Sequence, residues 1–437
     1  MSPHPDLLVI SDLHLGDEHV KNGLGDELVA FLDHHRGVGR RYRLVVNGDM
    51  IDLVGVQVMP GDAGEVLGLH PDDHHYGLGG RAHGALVKLA QVIERNRHVF
   101  DALGRFLGAG HEIAIVMGNH DAELHWPEVQ ELLRETLVQV AGPAARERLS
   151  FHPWFFFEDG VAWIEHGHQY DPYCSFEDVL APATDEEEID PSLGALLPRY
   201  VGSRFADPIH EAWGKGFFGF LAFWVRQGRD RVVAIGQAYI DVCRRMGQHW
   251  RARVPERLAA RRALARKRLR AVARRFGLAE EPLFELMALA RPPVGVELSR
   301  IVRALMLDRL LLLLFGPVLL ILPFLLAPWS WLPWADLPVI ALLAVWSWIA
   351  GMAREPVDPT ETMRATAGRI RERLQVPIVV MGHSHRPSAE AGYFNTGTWV
   401  GEAFTHLTIE RTDRGVRARL CQWRDGCSKI FDPYDPT

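Results

Sequence analysis

The 437-residue sequence has little cysteine: Cys174, Cys243, Cys421 and Cys427 are all there are. None forms a CxxC pair, and a chain of this length can bury a large core without disulfide staples. Free thiols in a reducing compartment are therefore expected. The N-terminus lacks a basic stretch followed by an apolar one, so no signal peptide is expected. Strong charge of either sign is also missing. The formal net charge is -7, with 24% charged and 48% hydrophobic residues, which gives no argument for a nucleic-acid partner. The length exceeds that of a usual single domain, so more than one structural unit is expected.

What is present is a repeated design. Short apolar runs, rich in β-branched residues, end in polar or glycine-containing segments. Leu7–Ile10 leads into Ser11-Asp12-Leu13-His14, and Arg43–Val46 into Asn47-Gly48-Asp49-Met50-Ile51-Asp52. Glu112–Met117 leads into Gly118-Asn119-His120-Asp121, and Val161–Glu165 into His166-Gly167-His168. Pro377–Met381 leads into Gly382-His383-Ser384-His385. Such runs read as buried strands, and ligands bind at the C-terminal ends of strands in α/β sheets. Between them, 28–35, 85–107 and 126–139 read as helices, and 151–165 as a hairpin around Glu158-Asp159-Gly160. Asp358-Pro359-Thr360-Glu361 is a helix start for a segment running to about Leu374. Residues 393–400 and 404–421 read as antiparallel edge strands. The segment 60–80, rich in Gly, Asp and His, reads as a solvated loop or a substrate-facing one.

Each polar residue taken singly could be a cap or a surface side chain. Together, Asp12, His14, Asp49, Asn119, His166, His383 and His385 deliver carboxylate, amide and imidazole at five strand exits. Oxygen and nitrogen donors without thiolate suit manganese, iron or zinc rather than calcium or a structural zinc. Seven donors are too many for one tetrahedral ion and suit a pair of ions, with Asp49 as the bridging carboxylate. Asp121 could hold the His120 ring in one tautomer.

Asp12-x-His14, Gly48-Asp49, Gly118-Asn119-His120-Asp121, His166 and Gly382-His383-x-His385 resemble, in this order, the signature of the calcineurin-like metallophosphoesterases. The resemblance covers about residues 6–171 and 358–410. It implies a four-layer α/β/β/α sandwich with two divalent ions, manganese first, iron or zinc as alternatives. Asp12, His14, Asp49 and His385 would hold one ion, and Asp49, Asn119, His166 and His383 the other. A metal-bridging hydroxide would attack phosphorus in line. His120 would protonate the leaving oxygen or stabilise its charge, oriented by Asp121; both are the expected catalytic residues. Asp52 and His168, on the same loops, are the candidates for substrate binding. Within this family the chain is similar to the bacterial UDP-2,3-diacylglucosamine diphosphatases in Ser11-Asp12-Leu13-His14-Leu15 and in the position of an insertion. It departs from them by having His120 where those enzymes usually carry arginine, and by a far longer insertion.

The expected domain plan is a core formed by 1–171 and 358–437, interrupted by a helical insertion over 172–357. Residues 251–275 hold eleven basic residues and one acidic one, Glu256, with apolar residues at near-helical spacing through Phe276. A basic amphipathic helix over 251–276 fits an anionic membrane surface; nucleic acid or a plain solvated face are the alternatives. Leu310–Trp334 and Leu337–Ala353 contain no charged residue. The first is long enough to span a bilayer and the second is marginal, which suggests a membrane hairpin over 308–353. Trp329, Trp331 and Trp334 would sit at an interface, and the flanking arginines Arg300, Arg303, Arg309, Arg354 and Arg364 place both flanks in the cytoplasm. The stretch 216–225 is too short to span and suggests an interfacial or lid segment. The expected function is a metallophosphoesterase at the cytoplasmic face of the membrane, acting on a phosphorylated, lipid-linked substrate. The alternatives are a membrane-tethered phosphodiesterase or phosphomonoesterase with a soluble substrate, and a non-catalytic scaffold.

Overall fold

The computed structural model describes residues 4–16, 23–62, 69–185, 188–201, 219, 222, 229–326, 332–401, 404–413 and 415–431. Most of the stretch 216–225 and the residues Trp329 and Trp331 lie outside the described residues. The chain divides into two units: Met1–Asp190 with Pro255–Arg291 and Asp358–Thr437, and Pro191–Val254 with Pro292–Val357.

The first unit is mixed α/β with two main sheets. The larger contains β1 (Asp6–Ile10), β2 (Tyr42–Asn47), β3 (Glu112–Val116) and β4 (Leu149–His152) as parallel neighbours. It continues through β12 (Thr405–Thr412), antiparallel to β1, to β13 (Gly415–Arg424) and β14 (Cys427–Ile430). The smaller sheet has the order β10-β11-β9-β6-β5, from β5 (Phe155–Glu158), β6 (Ala162–Glu165), β9 (Ile378–Met381), β10 (Ser388–Glu390) and β11 (Tyr393–Asn395). A two-stranded ribbon, β7 (Ala183–Asp185) with β8 (Glu188–Ile189), stands apart.

Side chains alternate across a strand, and the core follows that period. Leu7, Val9, Val45 and Val116 of the larger sheet meet Ile164 and Val380 of the smaller one in one apolar cluster. The alternate residues Leu8, Ile10, Leu44 and Val46 pack with Phe31 and Phe100 of the helices Leu24–Gly37 and Arg97–Gly108. On the far side of the smaller sheet, Trp163 and Val379 pack with Leu269, Leu283 and Ile370 of three further helices. Helices thus lie against the outer face of each sheet.

Several expectations change in detail. The expected helix over 85–107 is two helices, Ala82–Arg95 and Arg97–Gly108, broken at Asn96, whose side-chain amide donates to the Val92 carbonyl at 3.0 Å. The run 151–157 does not form one hairpin arm: Phe151 ends up in β4 and Phe155–Phe157 in β5, one in each sheet. The two C-terminal segments also separate, with β11 in the smaller sheet and β12 in the larger. The helix Pro255–Phe276 belongs to the first unit, not to a separate insertion over 172–357, because Leu269, Val272 and Ala273 are buried in its core. That apolar stripe is therefore not free to enter a membrane. In the 60–80 segment, Asp73 accepts from the His70 backbone at 2.8 Å, so this turn is partly closed on itself, while His74 and His75 are exposed.

In the second unit, two apolar helices, Leu307–Leu326 and Leu332–Met352, run one after the other. Their base is fixed by polar contacts. Arg354 holds both Asp308 oxygens at 2.8 Å, and Arg309 donates to the Ser347 hydroxyl and, at 2.6 Å, to its carbonyl. Leu314, Leu325, Trp334, Leu342 and Trp348 are each more than 60% exposed. Among the described residues no single helix is long and apolar enough to cross a membrane. The bent pair Leu298–Ala304 and Leu307–Leu322, at 73°, reaches that length together. The expectation that Leu310–Trp334 provides one continuous span is not met among the described residues, where the first apolar helix is Leu307–Leu326 and no single helix passes as a span.

Candidate metal centre

Neighbouring parallel strands end level with one another, so the loops after β1, β2 and β3 emerge side by side. The loop after β1 stays paired to the one after β2: Asp12, His14 and Leu15 donate backbone N–H groups to the carbonyls of Gly48, Asp49 and Met50 at 2.9–3.1 Å. The second sheet is tied on at the same level. Asn47 donates its amide to the Glu165 carbonyl at 2.9 Å, and His166 Nδ1 donates to the Asn47 carbonyl at 2.8 Å. Gly382 N–H donates to the His166 carbonyl at 3.0 Å, which adds the loop after β9. The strand exits of both sheets thus converge.

Space for this convergence comes from missing side chains. A Cβ at Gly118 would collide with the Asp49 carboxylate, and one at Gly382 would stand 2.6 Å from Asp12 Oδ2. Backbone strain concentrates here as well. Asp12, His14, Asp49, His383 and His385 all have φ between 47° and 63°. That left-handed region costs a residue with a Cβ free energy, and such residues cluster at functional sites.

The side chains form overlapping groups that could hold a metal ion: Asp12, His14 and His385; His14, Asp49 and His120; and Asp49, His166 and His383, buried except for half-buried His120 and His383 and exposed His385. His385 Nε2 lies 3.1 Å from Asp12 Oδ1 and 3.2 Å from His14 Nε2. His166 Nε2 lies 3.2 Å from Asp49 Oδ2. Yet among the described residues Asp12 Oδ1, Asn119 Oδ1 and His166 Nε2 have no well-formed hydrogen bond although buried. Asp12 Oδ1 and His166 Nε2 have only the 3.1 Å and 3.2 Å contacts to His385 and Asp49, and Asn119 Oδ1 has none. A buried polar atom left unpaired is costly, and a cation between the donors removes that cost. The donor set fits a divalent ion.

Charge in the cleft follows. Burial alone would raise the Asp49 carboxyl, but the His166 and His120 rings hold it well below the usual range. Burial disfavours a charged His166, yet Asp49 outweighs it and lifts the ring to about 9. His14, desolvated and beside His120, is pushed down to about 4. A neutral imidazole is the form that binds metal.

His120 is held by Asp52, not by Asp121. Its Nδ1 is 2.8 Å from Asp52 Oδ1. Burial opposes its protonation, but the Asp52 and Asp49 charges raise it to about 10. Asp121 instead accepts the backbone N–H groups of Gly118 at 2.6 Å and Met50 at 2.8 Å, which ties the second and third loops together. The expected orienting role of Asp121 is thus corrected, because its oxygens are spent on backbone. Asp52, expected to bind substrate, faces the imidazole and the Gly55 N–H at 2.7 Å. His168 is buried, packs edge-on against Phe176 at 5.5 Å, and has no hydrogen-bond partner at either ring nitrogen among the described residues.

Two residues were not singled out in the sequence. Asp171 Oδ2 stands 3.1 Å from His383 Nε2, while its Oδ1 accepts from the Tyr173 N–H at 2.8 Å. Cys174 lies in the same reach, so Asp171, Cys174 and His383 form a fourth group of donors. A carboxylate on the outer nitrogen of a metal-facing histidine fixes its orientation and raises its basicity. The nearest sequence signal is the short spacing from His166 and His168 to Asp171.

A scan against protein-family models and a search of curated proteins both find no match to this chain.

Proposed function

We propose that the cleft is the active site of a dinuclear-metal-dependent hydrolase of phosphoester or phosphoanhydride bonds, built on a four-layer α/β/β/α sandwich. The observation that carries this reading is the convergence of Asp12, His14, Asp49, His166, His383 and His385 in overlapping donor groups, with Asp12 Oδ1, Asn119 Oδ1 and His166 Nε2 buried and without a hydrogen-bond partner among the described residues. Asp12, His14, Asp49 and His385 would hold one ion, and Asp49, Asn119, His166 and His383 the other, with manganese the first choice for a site of mixed nitrogen and oxygen donors. When bound, such a pair supplies a water of lowered pKa and neutralises charge on the phosphoryl oxygens.

The rest is done by the chain. Asp52 fixes His120 through Nδ1, so Nε2 is the atom free to give a proton to the leaving oxygen. Asp49 and Asp52 keep that proton on the ring. Asp121 braces the loops that carry Asp49 and Asn119.

The exposed apolar pair Leu307–Leu326 and Leu332–Met352 supports a place at the membrane, with the pair dipping into the apolar layer and the arginine-rich base at the cytoplasmic headgroups. An active site in such a protein suits a lipid-linked phosphate substrate. The test is Mn²⁺-dependent hydrolysis of a chromogenic phosphodiester by wild type and His120→Ala. Turnover by wild type, reduced about 10²–10⁴-fold in the variant, supports the reading. No turnover together with no bound metal sinks it.

A further inference from the structure

The helix Pro255–Phe276 carries two sets of arginines that face opposite ways. Arg261, Arg268 and Arg275 are seven residues apart, close to two turns, and so share a side of the helix. They turn into the first unit. Arg261 pairs with Asp190 at 2.6 Å and Glu177 at 3.4 Å. Arg268 donates to the Leu180 carbonyl at 2.7 Å, and Arg275 to the Phe151 carbonyl at 2.9 Å. Together with buried Leu269 and Val272, they fix the helix on the body of the unit.

Arg262, Arg266, Arg270 and Arg274 follow one another at four-residue steps, and all are exposed, as is Lys267. Among the described residues only Arg270 of these five has an ion-pair partner, Glu280 at 3.3 Å, and both its members are exposed. Like charges at four-residue spacing destabilise a helix, so this ladder of about 18 Å is a cost that packing does not explain. It also runs against the chain's net charge of -7.

The chemistry between the arginines narrows the partner. Between Arg262 and Arg274 the other exposed residues are Ala263, Leu264, Lys267 and Ala271, with Ala259, Ala260 and the acidic Glu256 exposed in the turns before them. The helix contains no amide, hydroxyl, imidazole, tyrosine or tryptophan side chain. Base edges are read by amides and hydroxyls as well as arginine, and single strands are held by aromatic stacking. A flat row of guanidinium groups among small side chains suits a plane of phosphates instead. The apolar stripe of the helix is already buried, so contact with such a plane would be electrostatic, without insertion.

We propose that Arg262, Arg266, Arg270 and Arg274 form a rigid docking ladder for anionic phospholipid headgroups. This rests on the membrane placement proposed above. It adds a lipid-charge preference beyond that of the arginines at the base of the apolar helices.

The test is a lipid titration of the full chain, diluted from detergent into vesicles of phosphatidylcholine alone or with a third phosphatidylglycerol. Wild type is compared with R262Q/R266Q/R270Q/R274Q and with the four corresponding lysine substitutions. Wild type should partition into both vesicles but prefer the anionic ones by at least about 100-fold at low salt, from about fivefold per arginine. That preference should vanish in 1 M salt and in the glutamine variant, and survive in the lysine variant, which separates lost charge from lost folding. Equal partition of wild type into both vesicles overturns the ladder and leaves the membrane placement standing. No partition into either removes the membrane placement and the ladder with it. Ladder-dependent binding of a DNA duplex without lipid preference would assign the stripe to nucleic acid and overturn the proposal.

Discussion

The two units break the same packing rule in opposite directions. In the first, charged and polar groups are buried: Asp12, Asp49, Asp121 and His166 are each at most 1% exposed. In the second, large apolar side chains face outwards: Leu325 is 75% exposed, Trp334 69% and Met352 66%. A buried polar group and an exposed apolar patch are the two arrangements that carry information about surroundings. Each leaves a cost that the chain does not meet by itself. In the cleft the proposed partner is a pair of cations; along the apolar helices it is the proposed membrane. Comparing them separates the proposed chemistry from the proposed location.

The comparison predicts that the two features fail independently, and the largest effect should come from the cleft. Asp49→Asn removes the carboxylate shared by both proposed ions. Hydrolysis should fall by at least about 10³-fold, with metal content by elemental analysis dropping below two per chain and vesicle partition unchanged. A loss of membrane partition in this variant would break the separation.

The converse change is Leu314→Glu with Leu342→Glu, both at exposed positions on the apolar helices. Placing charge there costs about 2.5–3.5 kcal/mol per residue within a membrane. Partition into neutral vesicles should fall about 100-fold or more, while Mn²⁺-dependent turnover of a water-soluble ester stays within about twofold. If soluble-ester turnover falls with partition, the two units are coupled.

Asp171→Asn sharpens the comparison inside the cleft. Because Asp171 holds His383 at 3.1 Å, Mn²⁺ affinity should drop about 10–100-fold, and kcat should recover at saturating metal. An unchanged metal titration would show that His383 is oriented without it.

The smallest effect concerns pH. The Asp52 charge raises His120 from 6.5 to about 10, and Asp52 itself, buried but facing His120, falls from 3.8 to about 2. The His120 contribution to stability is complete below pH 6.5 and lost as pH rises through about 10. The Asp52 contribution is complete above 3.8 and lost as pH falls through about 2. In chelated protein, the melting difference between wild type and Asp52→Asn should therefore peak between about pH 4 and 6.5 and shrink as pH rises through about 10. In the enzyme the alkaline limb of kcat should move towards neutral pH in the variant. A limb that stays in place would remove His120 as the proton donor.

The strand exits were legible because short β-branched runs ending in Asp, Asn or His have few other readings. Asp12, His14, Asp49, His166, His383 and His385 come together in overlapping groups at those strand exits. Asp171 was not legible, since its partner His383 lies 212 residues away and nothing local marks the pairing. The orienting role expected of Asp121 falls to Asp52 for a similar reason: adjacency to His120 in the chain says nothing about which oxygens the backbone consumes. The basic helix misled differently. Its nine cationic residues look alike in sequence, but Arg261 and Arg268 are tied to Asp190, Glu177 and Leu180 while Arg262 and Arg266 face outwards. Facing is set by which side of the helix the core claims, and the sequence does not state that.

The left-handed backbone at Asp12, His14, Asp49, His383 and His385 also decides how mutants of this cleft can be interpreted. Alanine at any of them deletes a donor and simultaneously places a less tolerant residue in an unfavourable conformation. An alanine scan would merge two losses into one number. Asparagine tolerates that conformation far better, so Asn-for-Asp and Asn-for-His exchanges isolate the chemistry. A glycine at the same position would relieve the backbone while still deleting the donor, and the difference between glycine and alanine reads the strain directly.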